Sequence, residues 1–282
     1  MKFIGLMDAE MPVLGFGTWK LEGESCTQSV RDALDIGYRH IDTAQIYGNE
    51  TEVGQGIADS STERDHIFLT TKVWRDNFEG KQKALASVEE SLKKLKTDYV
   101  DLLLVHWPFP EYSVEQMLEP LLDAQEKGMT RIIGVSNFTV AQMDKAREFS
   151  TGRVLVNQVE YHPALSQKPV LDYIQEHDMA LTAYSPLGRG ANLDNPVLTD
   201  IAKAHGKSAA QVCLRWAVQQ NSVAAIPKSA TKANIQSNFE IFDFELSDDD
   251  MKKIAGLARA DGRLVDPDWA PQWDTGSAKK AA

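Results

Sequence analysis

The chain has 282 residues, 43% apolar and 25% charged, a balance that fits a globular protein with a full core and is too apolar for intrinsic disorder. Its 30 basic and 41 acidic residues leave a formal net charge of -11 and a pI near 5.1, so neither a nucleic acid nor a membrane is expected as a partner. Cys26 and Cys213 lie far apart, outside any CxxC spacing, and no HExxH or HxH occurs, which leaves no disulfide framework and no metal site to expect.

The opening MKFIGLMDAEMPVLGFGTW lacks the charged start, apolar stretch and cleavage site of a secretory signal, and no later run reaches 18 apolar residues, so the expected location is the cytoplasm. The first strand is predicted at Pro12 to Leu14. Six more β-branched runs follow at His40 to Asp42, Ile67 to Lys72, Val100 to Val105, Ile132 to Ser136, Val154 to Gln158 and Ala180 to Tyr184, and a last one at Val223 to Ile226. Helical periodicity fills stretches between them, such as Lys81 to Leu95, Val114 to Lys127 and Thr139 to Glu148, the last capped by Thr139. Ser247 and the three acids after it open a further helix, where negative charge suits the positive end of the helix dipole. Residues 1 to 275 read as one domain, and the small, basic end from Gly276 to Ala282 reads as a disordered tail.

Strands alternating with helices build βαβ units around a parallel sheet. A doubly wound sheet needs a glycine-rich phosphate loop after its first strand, but Gly15-Phe16-Gly17-Thr18-Trp19-Lys20 is only half of GxGxxG. The fold class predicted is therefore α/β, a (β/α)8 TIM barrel, whose site gathers at the C-terminal ends of the strands. Polar residues end one run after another: Asp42, Lys72, His106, Ser136 with Asn137, Gln158, Tyr184 and Lys228.

Several chemistries fall away. Gly134-Val135-Ser136-Asn137-Phe138 lacks the closing glycine of a nucleophile elbow. None of the seven tyrosines is followed four residues later by lysine. Two carboxylates at strand ends, Asp42 and Glu160, raise a glycosidase, which their neighbours do not favour. Ser136 and Asn137 equally suit a cap on the helix that follows.

Tyr47 lies five residues after Asp42, and Lys72 and His106 end the next two strands. An ammonium beside a buried phenol favours phenolate, so Lys72 is expected to make Tyr47 a stronger acid than a free tyrosine, whose pKa is about 10. Asp42 is the natural counter-ion for Lys72, and a histidine at the same mouth can orient a carbonyl oxygen. Together the four suit carbonyl reduction.

At these residues the chain resembles the aldo-keto reductase family, through GFGTW, HIDTAQIYGNE, TTKVW, VDLLLVHWP, GVSNF, NQVEYHP, AYSPLG and IPKS, in the family's order from about Leu14 to Asn238. The resemblance implies a (β/α)8 barrel that binds NADPH and reduces aldehydes or ketones, with Asp42, Tyr47, Lys72 and His106 as catalytic tetrad and Tyr47 as general acid. Its tail, from Asp261-Gly262-Arg263-Leu264 to Trp273, is most similar to bacterial 2,5-diketo-D-gluconate reductases of the B type, which also resemble methylglyoxal reductases.

The resemblance also assigns the cofactor. Ser136, Asn137 and Gln158 match positions that bond the nicotinamide carboxamide, Tyr184 the ring that stacks on it, and Thr18 and Trp19 its surroundings. Ser185, Leu187 and Gly188 match the pyrophosphate loop, Lys228 and Ser229 the 2'-phosphate site, and Asn238 an adenine contact. Asn234 stands where many members carry arginine, which opens the site to NADH as well as NADPH, with Lys232 as a compensating charge. Trp19, Trp74, Trp107 and His106 match the substrate pocket, open because the loop after His106 is short. Trp216, Trp269 and Trp273 read as packing or tail anchors, and His162 as structural. A small carbonyl compound is thus the expected partner and a monomer the expected state. The competing function is a regulatory protein that binds a nicotinamide nucleotide without turnover.

Overall fold

The computed structural model describes residues 2–7, 9–191 and 193–274; the tail expected from Gly276 lies outside them. The chain opens with an antiparallel hairpin, β1 (Phe3–Leu6) and β2 (Ala9–Pro12), with Phe3 opposite Pro12 and Leu6 opposite Ala9. Then come β3 (Phe16–Gly17), α1 (Gly23–Ile36), β4 (His40–Asp42), α2 (Glu50–Ala58), β5 (Phe68–Val73), α3 (Lys81–Leu95) and β6 (Val100–Val105). They are followed by α4 (Val114–Glu126), β7 (Thr130–Ser136), α5 (Val140–Phe149), β8 (Val154–Glu160), α6 (Lys168–Glu176) and β9 (Ala180–Tyr184). The last are α7 (Pro196–His205), α8 (Ala209–Gln219), β10 (Val223–Ala225), α9 (Lys232–Phe239) and α10 (Asp248–Ala255).

Strands β3 to β10 lie side by side in chain order, every pair parallel. A parallel bridge between Leu14 and Ala225 closes the sheet into the barrel, with Gly15 N donating to Ala225 O at 2.9 Å and Ala225 N to Val13 O at 2.8 Å. The first strand thus differs from the expected Pro12 to Leu14. Pro12 ends the hairpin, Leu14 makes the closing bridge, and β3 begins at Phe16. The seam requires bare backbone: a Cβ on Gly17 would lie 2.9 Å from Ile226 O, and one on Gly15 2.8 Å from the His40 ring.

Strands buried on both faces explain the continuous apolar runs, since helices cover the sheet outside and side chains fill it inside. Leu6 and Met11 of the hairpin pack with Phe68, Leu102, Leu104, Ile132 and Leu155 in a cluster separate from the larger one under the helices. Each such side chain contributes about 1.5–3 kcal/mol by leaving water. Helix α3 covers the predicted residues. Thr139 and Ser247 close capping boxes with Gln142 and Asp250 at the starts of α5 and α10. Short caps of this kind supply acceptors for N–H groups that the first turn leaves unpaired.

Candidate active site

The barrel brings the polar strand ends to one mouth. Lys72, one residue before the end of β5, donates to Asp42 Oδ1 at 2.6 Å, to Thr43 O at 2.7 Å and towards Tyr47 OH at 3.4 Å. These three acceptors use all three ammonium hydrogens. Gln158 Nε2 from β8 donates to the other Asp42 oxygen at 2.7 Å. Asp42 and Lys72 are both buried, and a buried charge in an apolar interior is tolerable only with such a partner. Thr18, from the loop after β3, donates to Asp42 O at 2.9 Å and fixes the strand end.

Tyr47 sits on a single 3₁₀ turn, Gln45–Tyr47, closed by Gly48 in the left-handed conformation at φ 69°. Its ring meets His106 edge-on at 5.7 Å between centroids, and Lys72 Nζ lies 4.9 Å from its centre. The phenol is not the stronger acid expected beside an ammonium. Burial, and then the Asp42 charge, push Tyr47 well above its ordinary range, because Asp42 lies closer to Lys72 than the phenol does and offsets its field. Burial also lowers Lys72, against the opposing pull of Asp42. Burial and the Lys72 charge together hold His106 well below the usual imidazole range, hence neutral. Its Nδ1 is buried without a hydrogen-bond partner among the described residues.

Ser136 and Asn137 do not cap α5, a task Thr139 performs. Ser136 Oγ instead donates to Gln158 O at 2.7 Å, and Asn137 Nδ2 to His106 O at 3.1 Å. Asn137 takes the left-handed conformation at φ 63°, which asparagine tolerates better than most residues. Tyr184 OH donates to Asn137 Oδ1 at 2.8 Å. Four strand ends are thereby linked, two of the bonds ending on backbone carbonyls and one joining the Tyr184 and Asn137 side chains. This interlock holds groups that could bind a planar amide and an aromatic ring against one wall.

Further round the rim, Ser185 and Gly188 both have positive φ, 48° and 55°, and Leu187 lies between them. Lys228 is exposed, with no acidic partner among the described residues, and Ser229 Oγ bonds with Thr231. Asn238 is buried in α9, while Asn234 on the same helix is exposed. Lys232, the expected substitute for the missing arginine, pairs with Asp32 Oδ1 at 3.0 Å while its side chain stays 64% exposed.

Trp74 packs edge-on against His106 at 5.1 Å and Phe109 at 5.3 Å, and Trp107 against Trp269 at 5.0 Å. Trp273 approaches Trp107 at 6.1 Å. Trp269 and Trp273 are therefore parts of the aromatic wall as well as tail anchors, a role hidden in sequence because 150 residues and more separate them from Trp107. Trp19 stands apart from this cluster, 40% exposed, with Lys20 Nζ at 4.6 Å and Arg189 at 4.9 Å from its ring. Trp216 packs on Tyr161. The tail is pinned by Glu160, whose two oxygens accept from Leu264 N at 2.8 Å and Val265 N at 2.9 Å, with His162 Nε2 2.8 Å from Oε1. Gly262 meets Ala164 O so closely that no Cβ fits. Glu160 is thus saturated as an anchor, which leaves the glycosidase reading without its second carboxylate.

Residues 13–259 match the Aldo/keto reductase family. Over 268 residues the chain is 42% identical to the methylglyoxal reductase DkgB of Escherichia coli O157:H7, covering 94% of this chain and 99% of the relative. A crystal structure of a putative 2,5-diketo-D-gluconic acid reductase B superposes with a TM-score of 0.95 at 45% identity, covering 97% of this chain and 98% of that one. A Bombyx mori aldo-keto reductase in complex with NADP superposes with a TM-score of 0.84 at 34% identity, covering 91% of this chain and 92% of that one. The family match over residues 13–259 and the shared identity over nearly whole chains place this protein in the aldo/keto reductase family.

Proposed function

We propose that the protein reduces small aldehydes and ketones to alcohols with NADPH, taking 2-oxoaldehydes such as methylglyoxal and diketo sugar acids. The observation that carries this reading is the buried Lys72 ammonium, bonded to Asp42 and directed at Tyr47 OH beside a neutral His106. The names of the relatives support the substrate class, and the NADP complex of a neighbour supports the cofactor.

The donor set suits a nicotinamide dinucleotide. Ser136, Asn137 and Gln158 would hold the carboxamide, Tyr184 would stack on the ring, and Thr18 and Trp19 would border it. Ser185, Leu187 and Gly188 would take the pyrophosphate, Lys228 and Ser229 the 2'-phosphate, and Asn238 the adenine. When bound, NADPH supplies the hydride. With Lys232 tied to Asp32 and Asn234 in place of arginine, Lys228 carries the 2'-phosphate largely alone, so NADH is accepted too.

The chain's own residues do the rest. His106, neutral, offers one N–H to the carbonyl oxygen and orients it. Tyr47 keeps its proton at neutral pH, as a general acid must, and gives it to the oxygen as negative charge develops there. Lys72 stabilises the phenolate left behind, and Asp42 keeps Lys72 charged. Trp74 and Trp107 exclude water and seat the carbon faces of a small substrate. Every one of these groups comes from one chain, and our reading is of a single barrel domain over residues 1 to 275 that acts as a monomer. Among the described residues no helix is long and apolar enough to cross a membrane.

The test follows NADPH and NADH absorbance with methylglyoxal, a diketogluconate, aromatic aldehydes and simple ketones, with Tyr47→Phe in parallel. Carbonyl-dependent oxidation that drops about 10²–10⁴-fold in Tyr47→Phe is the expected result. Cofactor binding by both proteins with turnover by neither would move the reading to a nucleotide-binding regulator.

A further inference from the structure

The turn that carries Tyr47 is too short to hold itself. One 3₁₀ turn is closed here by Tyr47 N to Ala44 O at 3.0 Å and Gly48 N to Gln45 O at 3.3 Å, and such isolated turns are marginal without tertiary support. Its base is fixed by Thr43 Oγ1, which donates to Asn49 Oδ1 at 2.8 Å, while Asn49 Nδ2 reaches Thr18 O at 2.8 Å and Leu21 O at 2.9 Å. Its other flank is held by one side chain, Gln45.

The Gln45 amide is saturated at both ends. Its Oε1 accepts from Trp74 N and from Asn77 Nδ2, each at 2.8 Å. Its Nε2 donates to α3, where Ser87 O, Ser87 Oγ and Ser91 Oγ lie at 3.2, 3.1 and 3.1 Å. The same residue is therefore two positions from the proton donor, bonded to the backbone of the tryptophan that walls the pocket, and braced on the helix behind both. Trp74 in turn packs on His106.

We infer that Gln45 is a positioning residue: a strut of fixed length that sets the Tyr47 hydroxyl relative to the Trp74 wall, and so relative to the carbonyl seated on that wall. This rests on the reductase reading above. Proton transfer needs the hydroxyl within hydrogen-bond reach of the carbonyl oxygen, and a displacement of about 1 Å costs on the order of 100-fold in rate. A methionine of similar length removes all the polar contacts while filling the same space.

The experiment compares wild type, Gln45→Met, Asn77→Ala and Tyr161→Phe in steady-state turnover of methylglyoxal, in the isotope effect with 4-deuterated NADPH, in NADPH binding and in thermal melting. Gln45→Met is expected to lose about tenfold or more in kcat, to show a larger isotope effect as the chemical step becomes limiting, and to bind NADPH as wild type does. Asn77→Ala, which cuts one bond on the Trp74 side from outside the turn, is expected to give a smaller loss of the same kind; it also keeps the question open to measurement if Gln45→Met does not fold. Tyr161→Phe removes a hydroxyl bonded to Gln220 and to no member of the tetrad and is expected to lower melting without changing kcat. The inference is overturned if Gln45→Met behaves like Tyr161→Phe, with lower melting but unchanged kcat and isotope effect, or if Asn77→Ala does so where Gln45→Met does not fold. A wild type that turns over no carbonyl overturns the reductase reading itself, a result distinct from either.

Discussion

Lys72 Nζ lies 2.6 Å from Asp42 Oδ1, with both groups withdrawn from solvent. Removing the carboxylate leaves an uncompensated ammonium in the barrel, which costs about 3–5 kcal/mol of stability. Asp42→Asn is therefore expected to melt at lower temperature. Its Lys72, already lowered by burial, is expected to lose its proton at still lower pH, so activity should fall off on the basic side earlier than in wild type. A kcat/KM profile identical to wild type would rule out Asp42 as the group that keeps Lys72 charged.

The pH profile of the wild type follows from the same environments. His106 is held well below the ordinary imidazole value, so it stays neutral as pH falls through that value. Tyr47 is raised and keeps its proton on the alkaline side, whereas Lys72 is lowered. We expect kcat/KM to be level from about pH 6.5, the ordinary imidazole value, towards mild alkali. The alkaline loss is expected to track Lys72. An acid limb centred at the ordinary imidazole value, abolished by His106→Gln, would contradict the environment described for His106.

Glu50, buried at the start of α2, accepts from Thr71 Oγ1 at 2.6 Å and Ser91 Oγ at 3.2 Å, yet burial raises it above the usual carboxylate range. Its folded pKa then exceeds its unfolded one, so ionisation costs stability as pH rises through that interval. Glu50→Gln is expected to raise the melting temperature at pH 7. The gain should vanish below the unfolded carboxylate pKa, where wild type is uncharged in both states. Melting curves at pH 7 and pH 3.5 provide the check.

At the proposed adenosine end, Lys232 is paired with Asp32 and Asn234 is exposed. Asn234→Arg offers a planar, permanently charged donor for a phosphate. We expect NADPH to bind about tenfold more tightly while NADH binding stays level. Equal strengthening of both cofactors would mean that the new side chain meets adenine and not the 2'-phosphate.

Glu160 offers a prediction about the pocket wall. Both of its oxygens take backbone N–H groups of the segment that carries Trp269 and Trp273. Glu160→Ala frees that segment, and we expect KM to rise several-fold for aromatic aldehydes, which lean on the wall, and less for methylglyoxal. Proteolytic susceptibility at residues 262–274 should rise in parallel.

Much of the site was legible along the chain. A parallel strand ends in the same place relative to its neighbour, so a polar residue closing each of several runs places Asp42, Lys72, His106, Gln158 and Tyr184 at one mouth. The helices were legible for a similar reason, since Thr139, Gln142, Ser247 and Asp250 act on backbone within three residues of themselves. The first strand was misplaced because its pairing is closed by Ala225, more than 200 residues away, and the two glycines that permit the approach look in sequence like half of a phosphate loop.

Local pattern and strand order are thus properties of the sequence alone, because they depend on periodicity and on groups adjacent in the chain. What only the tertiary structure decided depends on distances between remote groups. Tyr47 is a weaker acid than its neighbour Lys72 suggests, because burial and Asp42 outweigh the ammonium. Lys232 pairs with Asp32, and the tail tryptophans join Trp107 in one aromatic cluster. Electrostatic balance and packing fall off within a few ångströms, so their outcome is fixed only when the barrel sets which side chains meet.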